Sequence, residues 1–264
     1  MKELIKKTEV IILQGMDYRE TSRIITAFSE GFGRIKLIAK GVRNPKSRMA
    51  AALQSFVNAE IVFYKKETSE IYLVKEAEMV EFFWDIHNNL LRFNYAAVIA
   101  DFLSNLVATE QVSKTLYRYS LFTLHRINQG KKEDLPFILT QFLMKSASII
   151  GFKVELEKCT ACGRKGFSPH YFSNPKGGIL CEKCRKSDSH AVEMSKSVYH
   201  FMKKGQEHEE AGYYQKMRTE DFREVFLLFS NWFNYHTHRT LKTLDNYIKG
   251  KPFDIYYRTI ESKE

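Results

Sequence analysis

The sequence predicts an α+β protein of several domains, with a small N-terminal β-barrel followed by an α-helical domain that carries an inserted four-cysteine module. Three observations predict it. Residues 1 to about 80 hold short β-branched and aromatic runs punctuated by glycine. Residues 81–158 and 185–264 place apolar side chains at helical spacing. All four cysteines fall between 159 and 184. The expected boundaries are therefore 1–80, 81–158 together with 185–264, and 159–184.

In the first region Val10-Ile11-Ile12-Leu13 is a buried run, and Arg34 to Ile38 alternates polar and apolar. Phe56 to Tyr64 and Glu70 to Val74 are rich in strand formers. Gly31, Gly33 and Gly41 separate them, and Asn44-Pro45 marks a loop. Four or five short strands in so short a stretch suit a small barrel. Asn89 to Thr109 reads as a helix with apolar residues on most faces, hence a buried one. Asp134 is the expected N-cap of the next helix, with Pro136 in its first turn and Gly151 as its terminating glycine. Past the cysteines, Thr219 precedes two acids, and Phe222, Val225, Phe226, Phe229, Phe233 and His236 form one stripe, expected to face the core. Glu207-His208-Glu209-Glu210 reads as a polar turn, and the tail after Gly250 as frayed.

Cys159-Thr160-Ala161-Cys162 and Cys181-Glu182-Lys183-Cys184 form two C-x2-C knuckles eighteen residues apart. This spacing is that of a zinc ribbon or knuckle pair. Two thiolates separated by two residues face one ion when the chain turns tightly, and Gly163 suits such a turn. Four sulfurs leave no coordination position for water, so the expected Zn2+, one per chain, is structural. The competing readings are two disulfides or a redox C-x-x-C. His170 and His190 stand near enough in sequence to replace a ligand, but four cysteines make them unnecessary.

Lys and Arg exceed Asp and Glu by 41 to 31, giving a net charge of +10. A surplus of that size favours polyanions. It concentrates from Arg34 to Arg48, where Arg34, Lys36, Lys40, Arg43, Lys46 and Arg48 stand without a single acid. A strand running into a basic loop suits a phosphate backbone, and small OB barrels bind single strands with cations along the backbone and rings under the bases. Phe63 and Tyr64 are adjacent on a strand, so they point to opposite faces. The expectation is Phe63 inside and Tyr64 outside as the stacking ring, with Tyr18 and Tyr72 as further candidates. The bland alternative is a solvated face with core rings.

No P-loop, G-x-S-x-G or H-E-x-x-H occurs, so a binding protein is expected and not an enzyme. No segment reaches the ~18 apolar residues of a spanning helix, and the run after the basic start is too short for a signal peptide. A cytoplasmic protein without a membrane partner is therefore expected. From another binding class the rival is an RNA- or ribosome-associated zinc-ribbon OB-fold protein, and from the enzymes a zinc-dependent hydrolase or deaminase.

The stretch from Gly33 to Arg48 (GRIKLIAKGVRNPKSR) resembles the signature of the RecO family of bacterial DNA repair and recombination mediators. Asp17 to Thr26 is similar to the segment before that signature, and Leu53-Gln54-Ser55-Phe56 to the one after it. Gly151-Phe152 followed by Cys159-x-x-Cys162-Gly163 resembles that family's entry into its zinc module. The chain departs from the pattern at Asn44, where a basic residue is common, and at Ser55, where proline is common. The resemblance implies an N-terminal OB-fold and a helical domain bearing the zinc module. It implies binding to single- and double-stranded DNA and annealing of complementary strands. It further implies RecR as a partner, loading of RecA onto strands coated by single-strand DNA-binding protein, and capture of that protein's acidic tail by the helical domain. Arg118 and Arg126 are candidates for the tail. Lys158, Arg164, Lys165, Lys183, Arg185 and Lys186 are candidates to extend the DNA track.

Overall fold

Five strands close into a barrel in the computed structural model, which describes residues 4–66, 68–207 and 217–250. They are β1 (Leu4–Tyr18), β2 (Ser22–Ser29), β3 (Gly33–Ala39), β4 (Asn58–Lys65) and β5 (Ile71–Glu81), in the order β1-β2-β3-β5-β4. Strand β1 is long enough to serve two neighbours. Its first half pairs with β4 and its second with β2, and the register shifts between Ile12 and Gln14. Closure needs one parallel pairing, Lys36 to Ile38 of β3 alongside Ile71 to Leu73 of β5. The pleat turns Ile25, Ala27, Ile35, Leu37, Ala39, Ile61, Phe63, Tyr72 and Val74 into a fully packed interior.

The sequence leaves β2 unread. Ile24 to Phe28 is apolar or small on both faces because Phe28 is also buried, 6.3 Å from the Tyr117 ring, so the period-two signal is lost. The expected start of β4 at Phe56 is corrected. Phe56 has φ of +63° and donates its N–H to the Ile12 carbonyl of β1, and the strand begins at Asn58.

Helices α1 (Trp84–Asn88), α2 (Leu90–Asn105) and α3 (Lys114–Gln129) belong to the same compact unit as the barrel, Met1–Gly130. Asn89 caps α2 by accepting from the Arg92 N–H at 3.2 Å, and the helix is buried on every side from Tyr95 to Leu103. The α2–α3 loop seals one end of the barrel. Arg34 Nε donates to the Val107 carbonyl at 3.0 Å, and the Glu110 N–H donates to the Arg34 carbonyl at 3.1 Å. Tyr72 and Lys65 both donate to the Glu110 carboxylate, the latter at 2.9 Å. These bonds hold Glu110 below the usual carboxylate range, the Tyr72 hydroxyl contributing most.

The second unit, Lys131–Glu264, holds α4 (Leu135–Ile149), α5 (Lys196–Glu207), α6 (Thr219–Thr237) and α7 (Lys242–Ile248). A three-stranded sheet of order β7-β6-β8 sits between α4 and α5 in sequence: β6 (His170–Ser173), β7 (Gly178–Leu180) and β8 (Val192–Met194). Asp134 stands at the N-terminal boundary of α4, but its side chain makes no cap bond because a 3-10 turn at Lys132–Asp134 already supplies the entry. Gly151 ends that helix at φ +95°. The aromatic stripe of α6 does face the core, with Phe226, Phe229, Trp232 and Phe233 buried. The polar turn expected beyond Glu207 and the tail after Gly250 lie outside the described residues. No helix among the described residues is long and apolar enough to cross a membrane.

Gly33 carries a steric demand. Its φ is +65°, and a β-carbon there would stand 2.3 Å from the Gln111 carbonyl oxygen. Gly33→Ala should cost about 2–4 kcal/mol by chemical denaturation. Gly31→Ala, where a β-carbon meets only Thr8 Oγ1 at 3.4 Å, should stay within about 0.5 kcal/mol.

Candidate metal centre and nucleic-acid interface

The two knuckles bring all four Sγ atoms within 4.8 Å of one another. Each knuckle is a tight turn: Gly163 N–H donates to the Cys159 carbonyl at 2.8 Å with Gly163 at φ +73°, and Cys184 N–H donates to the Cys181 carbonyl at 2.9 Å. The Thr160 N–H and hydroxyl both donate to the Ile179 carbonyl, at 2.9 and 3.3 Å, and seat the first turn against β7. Gly178 is required there, since a β-carbon would meet the Glu155 carbonyl oxygen at 2.2 Å. Behind the sulfurs, Cys159 and Cys181 are buried with Tyr171 and Leu180, a core of four residues.

The donor set fits a tetrahedral ion. Thiolates about 2.3 Å from one metal lie about 3.8 Å apart, and Cys162 and Cys181 Sγ are separated by 3.8 Å. All four cysteines are free thiols, so the disulfide reading is not what the fold uses. Burial opposes ionisation of Cys159, but backbone N–H groups of Cys181, Cys162 and Ala161 outweigh it and bring the thiol to about 6. Cys184 is pushed up to about 12 by its hydrogen bonds to the Cys162 and Cys181 sulfurs. Four crowded thiols do not all ionise together unless a cation neutralises them. His170 is buried, stacked 3.6 Å from the Tyr199 ring, and its protonation is disfavoured by burial and then by His200 and Lys203. Neither it nor the exposed His190 belongs to the cluster.

On the barrel the six basic residues part into two groups. Arg34 gives its guanidinium to Val107 and, at 2.8 Å, to Thr109 Oγ1. Arg43 bridges to Asp17 at 3.2 Å and donates to the Arg19 and Glu20 carbonyls at 3.1 and 3.0 Å, bracing the β1–β2 turn. Lys36, Lys40, Lys46 and Arg48 are exposed, the first on the outer face of β3 and the rest on the loop that follows. Phe63 is buried in the barrel, stacked 5.5 Å from Tyr72, while Tyr64 is half-buried and faces out. Tyr72 is corrected as a stacking candidate, because only 5% of it is accessible and its hydroxyl is held by Glu110. Tyr18 is half-buried, with Arg19 5.2 Å over its ring.

Sequence reasoning missed an apolar row beside these cations. Barrel register aligns Met16, Ile24, Ile38, Leu73, Tyr64 and Ile5 side by side across neighbouring strands, all on the outside. Met16 and Ile5 are 62% and 57% exposed. Lys36 belongs to the same outer face, opposite Ile71. The signal was divided among five strands and needed the register to assemble it.

With this geometry in place, the comparisons are decisive. Residues 1–83 match the family description "Recombination protein O N terminal", and residues 87–245 match "Recombination protein O C terminal". The chain belongs to the RecO family. It is 31% identical over 206 residues to the DNA repair protein RecO of Halalkalibacterium halodurans, covering 75% of this chain and 79% of that one. With the RecO of Acetivibrio thermocellus it shares 33% over 192 residues, 73% and 75% of the two chains. With that of a Thermoanaerobacter species it shares 31% over 179 residues, 68% and 71%. RecO proteins are DNA repair and recombination mediators and not enzymes, and this RecO chain is a DNA repair and recombination protein with a four-cysteine metal-binding cluster.

Elemental analysis of the purified chain should find one divalent metal ion per molecule. A chromogenic disulfide reagent should then titrate the four thiols only after a strong chelator is added, and chelation should lower the thermal midpoint of the second unit. Four immediately reactive thiols and no metal would count against the site.

Proposed function

We propose that the chain binds single- and double-stranded DNA through the outer face of β3 and the loop after it, and that it anneals complementary strands. The observation that carries this reading is the exposed set Lys36, Lys40, Lys46 and Arg48, adjoined by the apolar row that includes Tyr64. The cations neutralise phosphates, and the outward ring and aliphatic side chains underlie the bases. Arg34 and Arg43 brace the surface through their own hydrogen bonds to neighbouring loops. Annealing follows because a cationic surface lowers the repulsion between two strands held on it.

The metal of this reading is zinc, held by Cys159, Cys162, Cys181 and Cys184. Its role is structural, since four sulfurs complete the tetrahedron. With RecR, the chain helps load RecA on strands coated by single-strand DNA-binding protein. The acidic tail of that coating protein docks on α3, where Phe122 is 54% exposed and the Arg126 guanidinium lies 5.7 Å over its ring. Arg118 on the same helix is 73% exposed at its side chain and pairs with Glu30 at 3.1 Å. Cations beside an exposed ring suit an acidic tail. Exposed Lys158, Arg164, Lys165, Lys183 and Lys186 offer further DNA contacts on the zinc module, as does Arg185, which lies over Tyr171. The protein acts in the cytoplasm, at the nucleoid.

Two measurements test this reading. If four phosphates are neutralised, log affinity for a single strand should fall against log salt with a slope of about −3. Changing Lys36, Lys40, Lys46 and Arg48 together to alanine should flatten most of that slope, and an unchanged slope would refute the assignment. Separately, Phe122→Ala and Arg126→Ala should each weaken binding of an acidic tail peptide by about tenfold while leaving the salt slope for DNA untouched.

A further inference from the structure

The α6 helix has a second face, opposite in character to its aromatic stripe. Asn231, Asn234, Tyr235 and His238 follow one another at i, i+3, i+4 and i+7, so they share one side of the helix and its end. With Asn174, from the turn after β6, they line a shallow, open cleft of about 600 Å³. The turn is fastened to the helix by His236, whose Nε2 lies 2.9 Å from the Asn174 carbonyl oxygen. Asn231, Asn234, Tyr235 and His238 are all exposed, Tyr235 to 50%. Asn174 Oδ1 is buried and has no donor among the described residues.

The composition of the cleft narrows what fits it. Three carboxamides offer paired donors and acceptors, the pattern that reads the edge of a nucleobase. An exposed tyrosine ring offers a stacking surface that tolerates any base. None of the five lining residues is acidic, and exposed Lys176 and Arg239 stand two residues and one residue along the chain from Asn174 and His238. Carboxylates would be expected if the guest were a cation, and an apolar floor if it were a greasy peptide.

We infer that this cleft receives one unstacked base of a DNA single strand, giving the second unit a strand contact of its own. The inference rests on the reading that the chain binds single-stranded DNA. A base held here is rotated out of stacking with its neighbours and keeps its pairing edge against exchangeable amide groups. Such a contact holds the strand through its bases, where the barrel cations hold it through its phosphates.

The test uses the full metal-loaded chain and an oligothymidylate carrying one photoreactive 5-iododeoxyuridine. Irradiation and peptide mapping should find an adduct on Tyr235 or His238. In parallel, affinity is measured for the normal strand and for one in which bases are replaced by abasic sites. Removing the bases should cost the unaltered protein about tenfold more than it costs the variant N231A/N234A/Y235A, whose three changes lie at exposed positions. Adducts confined to residues 4–81, together with equal abasic penalties in the two proteins, would overturn the cleft and leave the barrel reading standing. Competition by a neutral peptide without any adduct would assign the cleft to a protein partner and would also overturn it. Failure of the chain to bind the strand at low salt would remove both readings.

Discussion

Strand β3 lies between β2 and β5, and its pleat decides two things at once. Ile35, Leu37 and Ala39 enter the barrel and are buried, while Arg34, Lys36 and Ile38 turn outward. Side chains in a strand alternate with a period of two, so slipping this strand by one residue would drive its charges into the core and its core residues into water. Register is fixed from both sides, by seven partners on β2 and by the parallel contact that closes the barrel. At its start, Gly33 meets Gln111, and Arg34 is bonded to the α2–α3 loop. The cationic face is therefore a property of barrel closure. It is a surface that the apolar core holds rigid from beneath.

The four-cysteine module solves the opposite problem. Its sheet has three short strands, and its buried cluster is made of Cys159, Tyr171, Leu180 and Cys181. Half of that core is cysteine. So little apolar surface does not offset the conformational entropy of ordering a loop-rich segment of this length. A metal held by the sulfur cluster would supply the remaining free energy, since binding to a site formed only in the folded state adds directly to stability. Four sulfurs would close the coordination of such an ion and leave it a mechanical role, in keeping with a family of mediators that carry no enzymatic activity.

Legibility in the sequence followed the strength of local periodicity. The knuckles were readable because ligand spacing is a short-range constraint, and both turns form as their spacing requires. β3 was readable because only one of its faces is buried. β2 was not, because Phe28 is buried on the face that should have been polar. The basic run from Arg34 to Arg48 was visible as charge, but its division was not. Arg43 turns back to Asp17 and the β1–β2 turn, residues more than twenty positions earlier. Tyr64 and Tyr72 look alike in sequence, and only the register sends one outward and the other under Glu110. The row from Met16 to Ile5 was invisible for the same reason, since it exists only when five strands stand side by side.

That division of the basic residues follows the chemistry of the two cations. A guanidinium is a planar fork that holds several acceptors in fixed directions, whereas an ammonium is a compact, mobile point charge. Arg34 and Arg43 use the fork to tie carbonyls of neighbouring loops to the barrel, while Lys36, Lys40 and Lys46 stand exposed. Arg48 departs from this pattern as an exposed arginine in the middle of the loop, and Arg43 itself stays partly accessible. On the proposed reading, where strands of any sequence are held and then released to pair, rigid and directional phosphate contacts would add little. Mobile charges bind the backbone without fixing its register, and each contact is easily lost to salt or to a competing strand. Rigidity in the scaffold and mobility at the surface are thus complementary requirements. In the basic run of this barrel, they are met by assigning arginine mainly to the first and lysine mainly to the second.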